Sequence, residues 1–147
     1  MGTRCLTVMN DSDGNEIAVL YRQFDGYPEG HGADLKDFLS PFAIVNGIHS
    51  GETRKIANGA GCLAAQIVVH FKGEEAGNIY LYPAGTRDCG EEYVYTLQPN
   101  GENINLTVQA GMMTFFGMPG TPQAEMQLLY DGDITKFDPN NCNEKEA

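Results

Sequence analysis

Cations are scarce in this chain: nine Lys and Arg stand against 20 Asp and Glu in 147 residues, for a formal charge of −11. An anionic surface repels nucleic-acid backbones and anionic lipid, so long polyanions are excluded as partners. Paired cysteines are also missing. Cys5, Cys62, Cys89 and Cys142 are widely spaced and form no CxxC motif, which makes free thiols the default and leaves a zinc site with His31, His49 or His70 without paired ligand spacing. No apolar run approaches the length that crosses a bilayer, and Met1-Gly2-Thr3-Arg4-Cys5 lacks the charged and then apolar regions of a signal peptide. Leu6 stands where a myristoylation motif wants Ser or Thr. The expectation is a cytoplasmic protein with no membrane partner. A small anion remains open, because two or three Arg converging on one pocket hold a phosphate whatever the net charge.

What is present reads as one α+β domain over residues 1–138 with an acidic, flexible tail over 139–147. Apolar residues in 4–10 and 16–22 flank Asp11-Ser12-Asp13-Gly14-Asn15, strong turn chemistry, so the pair predicts a β-hairpin. The same turn fails as a calcium loop: its Gly comes two positions early and no acidic residue closes it. Leu35, Phe38 and Leu39 share one helical face before Pro41, which predicts a helix over 33–39. Residues 42–55 read as a mixed or short helical connection. The run Cys62–Lys72 is apolar nearly all round, which predicts a core helix buried on most sides, entered through Gly59 and Gly61 and stopped by Gly73. Residues 78–82, 93–98 and 104–108 alternate as strands, the last two forming a hairpin, and 125–130 reads as a final strand. The fold class is therefore an antiparallel sheet, an N-terminal hairpin plus a C-terminal meander, packed on two helices. Met112 to Met118, apolar and bounded by Gly and Pro, reads as core or as a subunit interface of a homo-oligomer.

The segment Tyr21-Arg22-Gln23-Phe24-Asp25-Gly26-Tyr27-Pro28-Glu29-Gly30-His31-Gly32 is the most distinctive. A strand runs through a Gly-rich loop into a helix, an arrangement that leaves backbone N–H groups at the helix start for an anionic guest. With Gly2-Thr3-Arg4, Gly61-Cys62-Leu63-Ala64-Ala65, Tyr82 and Asp88-Cys89-Gly90, it resembles a family of small proteins from bacteriophages and prophage-bearing bacteria, with a Tyr-Arg-x-x-Asp-Gly-Tyr-Pro-x-Gly-x-Gly signature. The resemblance covers most of the chain. It implies a phage-like origin, hence the host cytoplasm, and no particular chemistry.

In the loop, Arg22 suits a phosphate or carboxylate, Phe24 and Tyr27 suit stacking, and Gly30 and Gly32 allow close backbone approach, with Asp25 and His31 beside them. The plainer reading is a pair of tight turns with Arg22 tied to Asp25. Arg4 and Arg22, on adjacent strands, are expected to share a face and one site; Arg87 is a further guanidinium, and the Gly-rich entry to the second helix is a second anion candidate. The pairings of His31 with Asp25 and of Cys89 with His70 are the nucleophile or base sets worth naming, and the sequence supplies neither geometry. The expected function is non-enzymatic capture of a small anionic, nucleotide-like molecule, such as a host defence signal, with no metal or cofactor. The alternatives are a small hydrolase of a phosphorylated or nucleotide substrate, and an acidic inhibitor of a host protein.

Overall fold

The computed structural model describes residues 2–111 and 126–141. Strands β1 (Cys5–Asn10) and β2 (Glu16–Arg22) pair antiparallel. The Asp11 carboxylate accepts the N–H groups of Asp13 and Asn15, both at 2.9 Å, which closes the turn between them. One π-helical turn, Pro28–Gly32, then feeds α1 (Ala33–Leu39). Helix α1 buries Leu35 and Leu39, a burial worth about 1.5–3 kcal/mol for each side chain.

After α1 come β3 (Ala43–Val45) and β4 (Ile56–Asn58), which pair parallel, then α2 (Gly59–Lys72), stopped by Gly73 at φ 55°. Strands β5 (Ile79–Pro83), β6 (Tyr93–Asn100), β7 (Asn103–Ala110) and β8 (Gln127–Asp133) follow, with a last 3-10 turn at Ile134–Lys136. The main sheet has the order β5-β2-β1-β6-β7-β8.

This is the α+β architecture read from the residues, with hairpin and meander in place. The seam between them is the new feature: β1 and β6 run parallel, with Cys5 beside Tyr93 and Met9 beside Leu97. The chain reaches this seam from edge strand β5 by crossing β2 and β1, so residues 84–92 pass over the sheet and cover its outer face. There Leu6, Val8, Val19, Tyr21 and Val94 pack with Cys89. The inner face carries the larger core, where Leu20, Tyr95, Leu97 and Leu106 meet Leu35, Leu39, Leu63, Ile67 and Phe137.

Two readings are corrected. Residues 42–55 hold β3 and the approach to β4 rather than a helical connection, because Ala43 N–H bonds to Lys55 carbonyl at 3.0 Å and a second, two-stranded sheet forms. Helix α2 is not buried on most sides: Leu63, Ala64 and Ile67 face the core, while Cys62, Ala65, Val69 and His70 are exposed. An all-round apolar helix has two faces to cover, and the sheet covers one. Met112 to Met118, read as core or as a subunit interface, lies outside the described residues, as does most of the tail. Among the described residues no helix is long and apolar enough to cross a membrane.

Candidate functional site

The signature loop folds onto itself. Arg22 leaves β2 with Nε donating to the Phe24 carbonyl at 2.6 Å and Nη1 donating to His31 Nδ1 at 3.1 Å and to Asp34 Oδ2 at 3.0 Å. A guanidinium only donates, so Nδ1 is the unprotonated nitrogen and Nε2–H donates to Thr7 Oγ1 at 2.6 Å. His31 and Thr7 are both fully buried, and the ring lies 5.0 Å from those of Phe71 and Tyr95. Burial, assisted by the Arg22 charge, holds the imidazole down at about 3, so it is neutral.

The loop amides are also bonded internally. Gly26 N–H reaches Thr3 carbonyl, Gly30 N–H reaches Tyr27 carbonyl and His31 N–H reaches Asp25 carbonyl, each at 2.9 Å. These loop amides, expected to meet an anion, are thus taken by carbonyls of the loop and of Thr3, and α1 has only seven residues behind it. Gly30 is required by packing, since a Cβ there would strike the Asp25 carbonyl oxygen. Gly32 lies against the rings of Phe137 and Tyr95. Tyr27 donates its hydroxyl to the Asp25 carboxylate at 3.1 Å; Tyr27 and Phe24 remain partly exposed. The observed tether of Arg22 is to Asp34 rather than Asp25.

Arg4 and Arg22 do not share a face. The residue directly opposite Arg22 is Cys5, so strand alternation sends Arg4 to the outer side. There its guanidinium lies on Gly90 and opposes the upward push that burial gives the Tyr21 hydroxyl. Arg87 is at the other end of β2, where Nη2 meets Glu16 Oε2 at 2.7 Å.

The outer face at the Arg4 end carries a row that crosses three strands. Arg4 precedes β1, Tyr21 and Gln23 belong to β2 and its extension, and Tyr80 and Tyr82 stand on β5 opposite Tyr21 and Val19. Tyr21 donates to Gln23 Oε1 at 2.6 Å, leaving the Gln23 amide nitrogen for another acceptor. The rings of Tyr80 and Tyr82 lie within 8° of parallel with centroids 6.5 Å apart, and the Tyr21 ring is 5.8 and 6.2 Å from them. Tyr80 is 43% and Tyr82 37% exposed, so this aromatic surface is open. Two strand spacings across, about 10 Å, and two residues along, about 7 Å, put the Arg4 position roughly 12 Å from that of Tyr80. Among the described residues Arg22, Arg54 and Arg87 pair with Asp34, Glu52 and Glu16, whereas Arg4 has no carboxylate partner.

Nothing in the sequence marks Tyr80, Gln23 or Lys55 as a site residue. The aromatic alternation of 78–82 was visible as a strand, but its edge position was not. On the inner side, the exposed face of α2 and the end of α1 flank an open groove of about 470 Å³. Phe38 and His70 stack across it at 3.9 Å and 5°, and Lys55 Nζ sits 5.3 Å from the centroids of both Phe38 and Phe42. At the start of α2, Asn58 accepts from Gly47 N–H at 2.7 Å instead of capping the helix. The cavity beside it, about 560 Å³, is lined by neutral residues including Ser12, Asn46 and Gly59.

Neither proposed pairing is assembled. Asp25 takes the Tyr27 hydroxyl while the His31 ring is sealed between Thr7 and Arg22; Cys89 packs on the outer face and His70 on the far side of the sheet. Among the described residues no three His, Cys, Asp or Glu side chains converge as metal ligands. Comparison with protein-family models, with curated proteins and with solved structures finds no match to this chain.

Proposed function

We propose that the protein is a non-enzymatic binder that captures a small, planar, anionic molecule of nucleotide type on the outer face of its sheet. Arg4 takes the anionic group, the Gln23 amide donates in the middle, and Tyr80 and Tyr82 offer their rings to the base. The observation that carries this reading is Arg4, which meets no carboxylate among the described residues: in a chain of charge −11, a half-buried guanidinium so placed draws an anion from solution. Stacking of a base on an aromatic side chain adds about 1–3 kcal/mol and tolerates any base. A phage-type origin would give such capture a use, the sequestration of a nucleotide-derived host signal, which needs affinity and no chemistry.

The test is titration with a panel of nucleoside monophosphates and cyclic dinucleotides, followed by denaturation and chromatography of the released ligand. Binding is expected to quench tyrosine fluorescence, readable because the chain has seven Tyr and no Trp. Arg4→Ala and Tyr80→Ala should each weaken it at least tenfold without moving the unfolding midpoint by more than a degree or two. Affinity unchanged in both variants would refute the site, and recovery of a hydrolysed ligand would move the protein to the hydrolase reading.

A further inference from the structure

We infer that the groove between α1 and α2 is a second, separate ligand site, for a small hydrophobic molecule carrying one negative charge, of the aryl or alkyl carboxylate class. Its volume of about 470 Å³ falls within the range of drug-sized ligand pockets. Its walls are apolar: Phe38, Phe42, Ala65 and Val69 line it, and Val69 is 72% exposed with nothing from the chain's described residues over it. An apolar surface of this kind, left open on a 14-residue helix, is costly in water unless something covers it part of the time.

The charge of the guest is set by Lys55. Among the described residues its ammonium meets no carboxylate; the rings of Phe38 and Phe42 hold it instead, at 5.3 Å from each. The backbone beneath is fixed by the bond from Ala43 N–H to the Lys55 carbonyl at 3.0 Å. A cation so placed lies on the wall of an open apolar groove, where an anionic head with a hydrophobic body fits both. The adjoining cavity, about 300 Å³, shares Phe38, Lys55 and His70 but has Asp34 and Asp37 on its rim. Asp34 is paired with Arg22, and Asp37 opposes a second negative charge. Polyphosphates are therefore disfavoured, and a single-headed anion is preferred. Gln66 is engaged with the Ile56 carbonyl at 3.3 Å and with the Cys62 thiol at 3.4 Å, so it belongs to the wall.

Cys62 is exposed and lines the groove, which makes it a built-in reporter. The probe is anilinonaphthalene sulfonate on the native full-length chain, with alkylation of Cys62 followed by peptide mass spectrometry. Expected are saturable one-to-one binding, at least tenfold slower alkylation of Cys62 at saturation, and displacement of the dye by octanoate but not by octylamine. Lys55→Glu should weaken dye binding at least tenfold. Lys55→Gln, which keeps the aliphatic stem over the rings, should weaken it by a comparable factor in a protein with unchanged far-ultraviolet dichroism. The Arg4→Ala variant should bind the dye as the parent does, which separates this site from the nucleotide reading. Absence of saturable binding, an unprotected Cys62, equal displacement by octylamine, or an unaffected Lys55→Gln variant would each overturn the inference.

Discussion

Lowering the pH from 7.5 to 5.0 should destabilise this protein through one residue, His31. In the folded chain the imidazole is fully buried, accepts from Arg22 and donates to Thr7, and its value is held at about 3 against the ordinary 6.5. Between those two values the unfolded chain binds a proton that the folded chain refuses. Stability from this group is therefore fully present above 6.5 and falls as the pH drops below it. Each unit of that window is 1.36 kcal/mol, so the 1.5 units from 6.5 to 5.0 remove about 2 kcal/mol. Carboxylates held low by their partners, such as Glu16 beside Arg87, contribute little here, because they stay ionised in both states until the pH approaches 4.5. The assay is urea unfolding followed by far-ultraviolet dichroism at the two pH values; with a slope near 2 kcal/mol/M the midpoint should fall by about 1 M. The same pair of curves on His31→Gln should lose most of that difference, which removes the exposed His49 and His70 from the argument. A parent protein equally stable at both pH values, or a variant with the same pH slope, would refute a sealed neutral imidazole.

Arg22→Ala should cost about 2–4 kcal/mol, because it strips donors from the Phe24 carbonyl, the His31 ring and the Asp34 carboxylate together; thermal unfolding checks this, and a loss below about 0.5 kcal/mol would show the network to be dispensable. Gly30→Ala should lower stability by about 1–3 kcal/mol through collision of the new methyl with the Asp25 carbonyl, read in the same assay, with dye and nucleotide binding unchanged in the fraction that folds.

The two proposed ligand faces follow from one topological fact. The connection from β5 to β6 crosses the outer side of the sheet and both helices lie on the inner side, so the outer face keeps an uncovered corner beside edge strand β5. That edge is guarded against pairing with another strand: Lys72 Nζ holds the Ile79 carbonyl at 3.0 Å, Ile79 N–H bonds to Gly77, and Pro83 has no N–H. The tyrosines of β5 are thus open to a ligand while its backbone is partly closed to strand addition.

Local pattern was enough for much of this molecule. Apolar runs in 4–10 and 16–22 around the Asp11 turn, the shared helical face of Leu35, Phe38 and Leu39, and Gly73 after Lys72 each act within a few residues, and so they are legible as hairpin, helix and helix stop. Pairings between distant segments were not. That Cys5, and not Arg4, lies opposite Arg22 depends on register; that β1 meets β6 in parallel depends on a crossover; that Lys55 reaches Phe38 and Phe42 depends on β3 meeting β4. The signature loop carries the sharpest contrast. Its composition matched a ligand clamp and a self-bonded turn equally well, since both need glycine, a guanidinium and carbonyl-rich backbone, and only packing of the loop against Thr7, Tyr95 and Phe137 turned its donors inward.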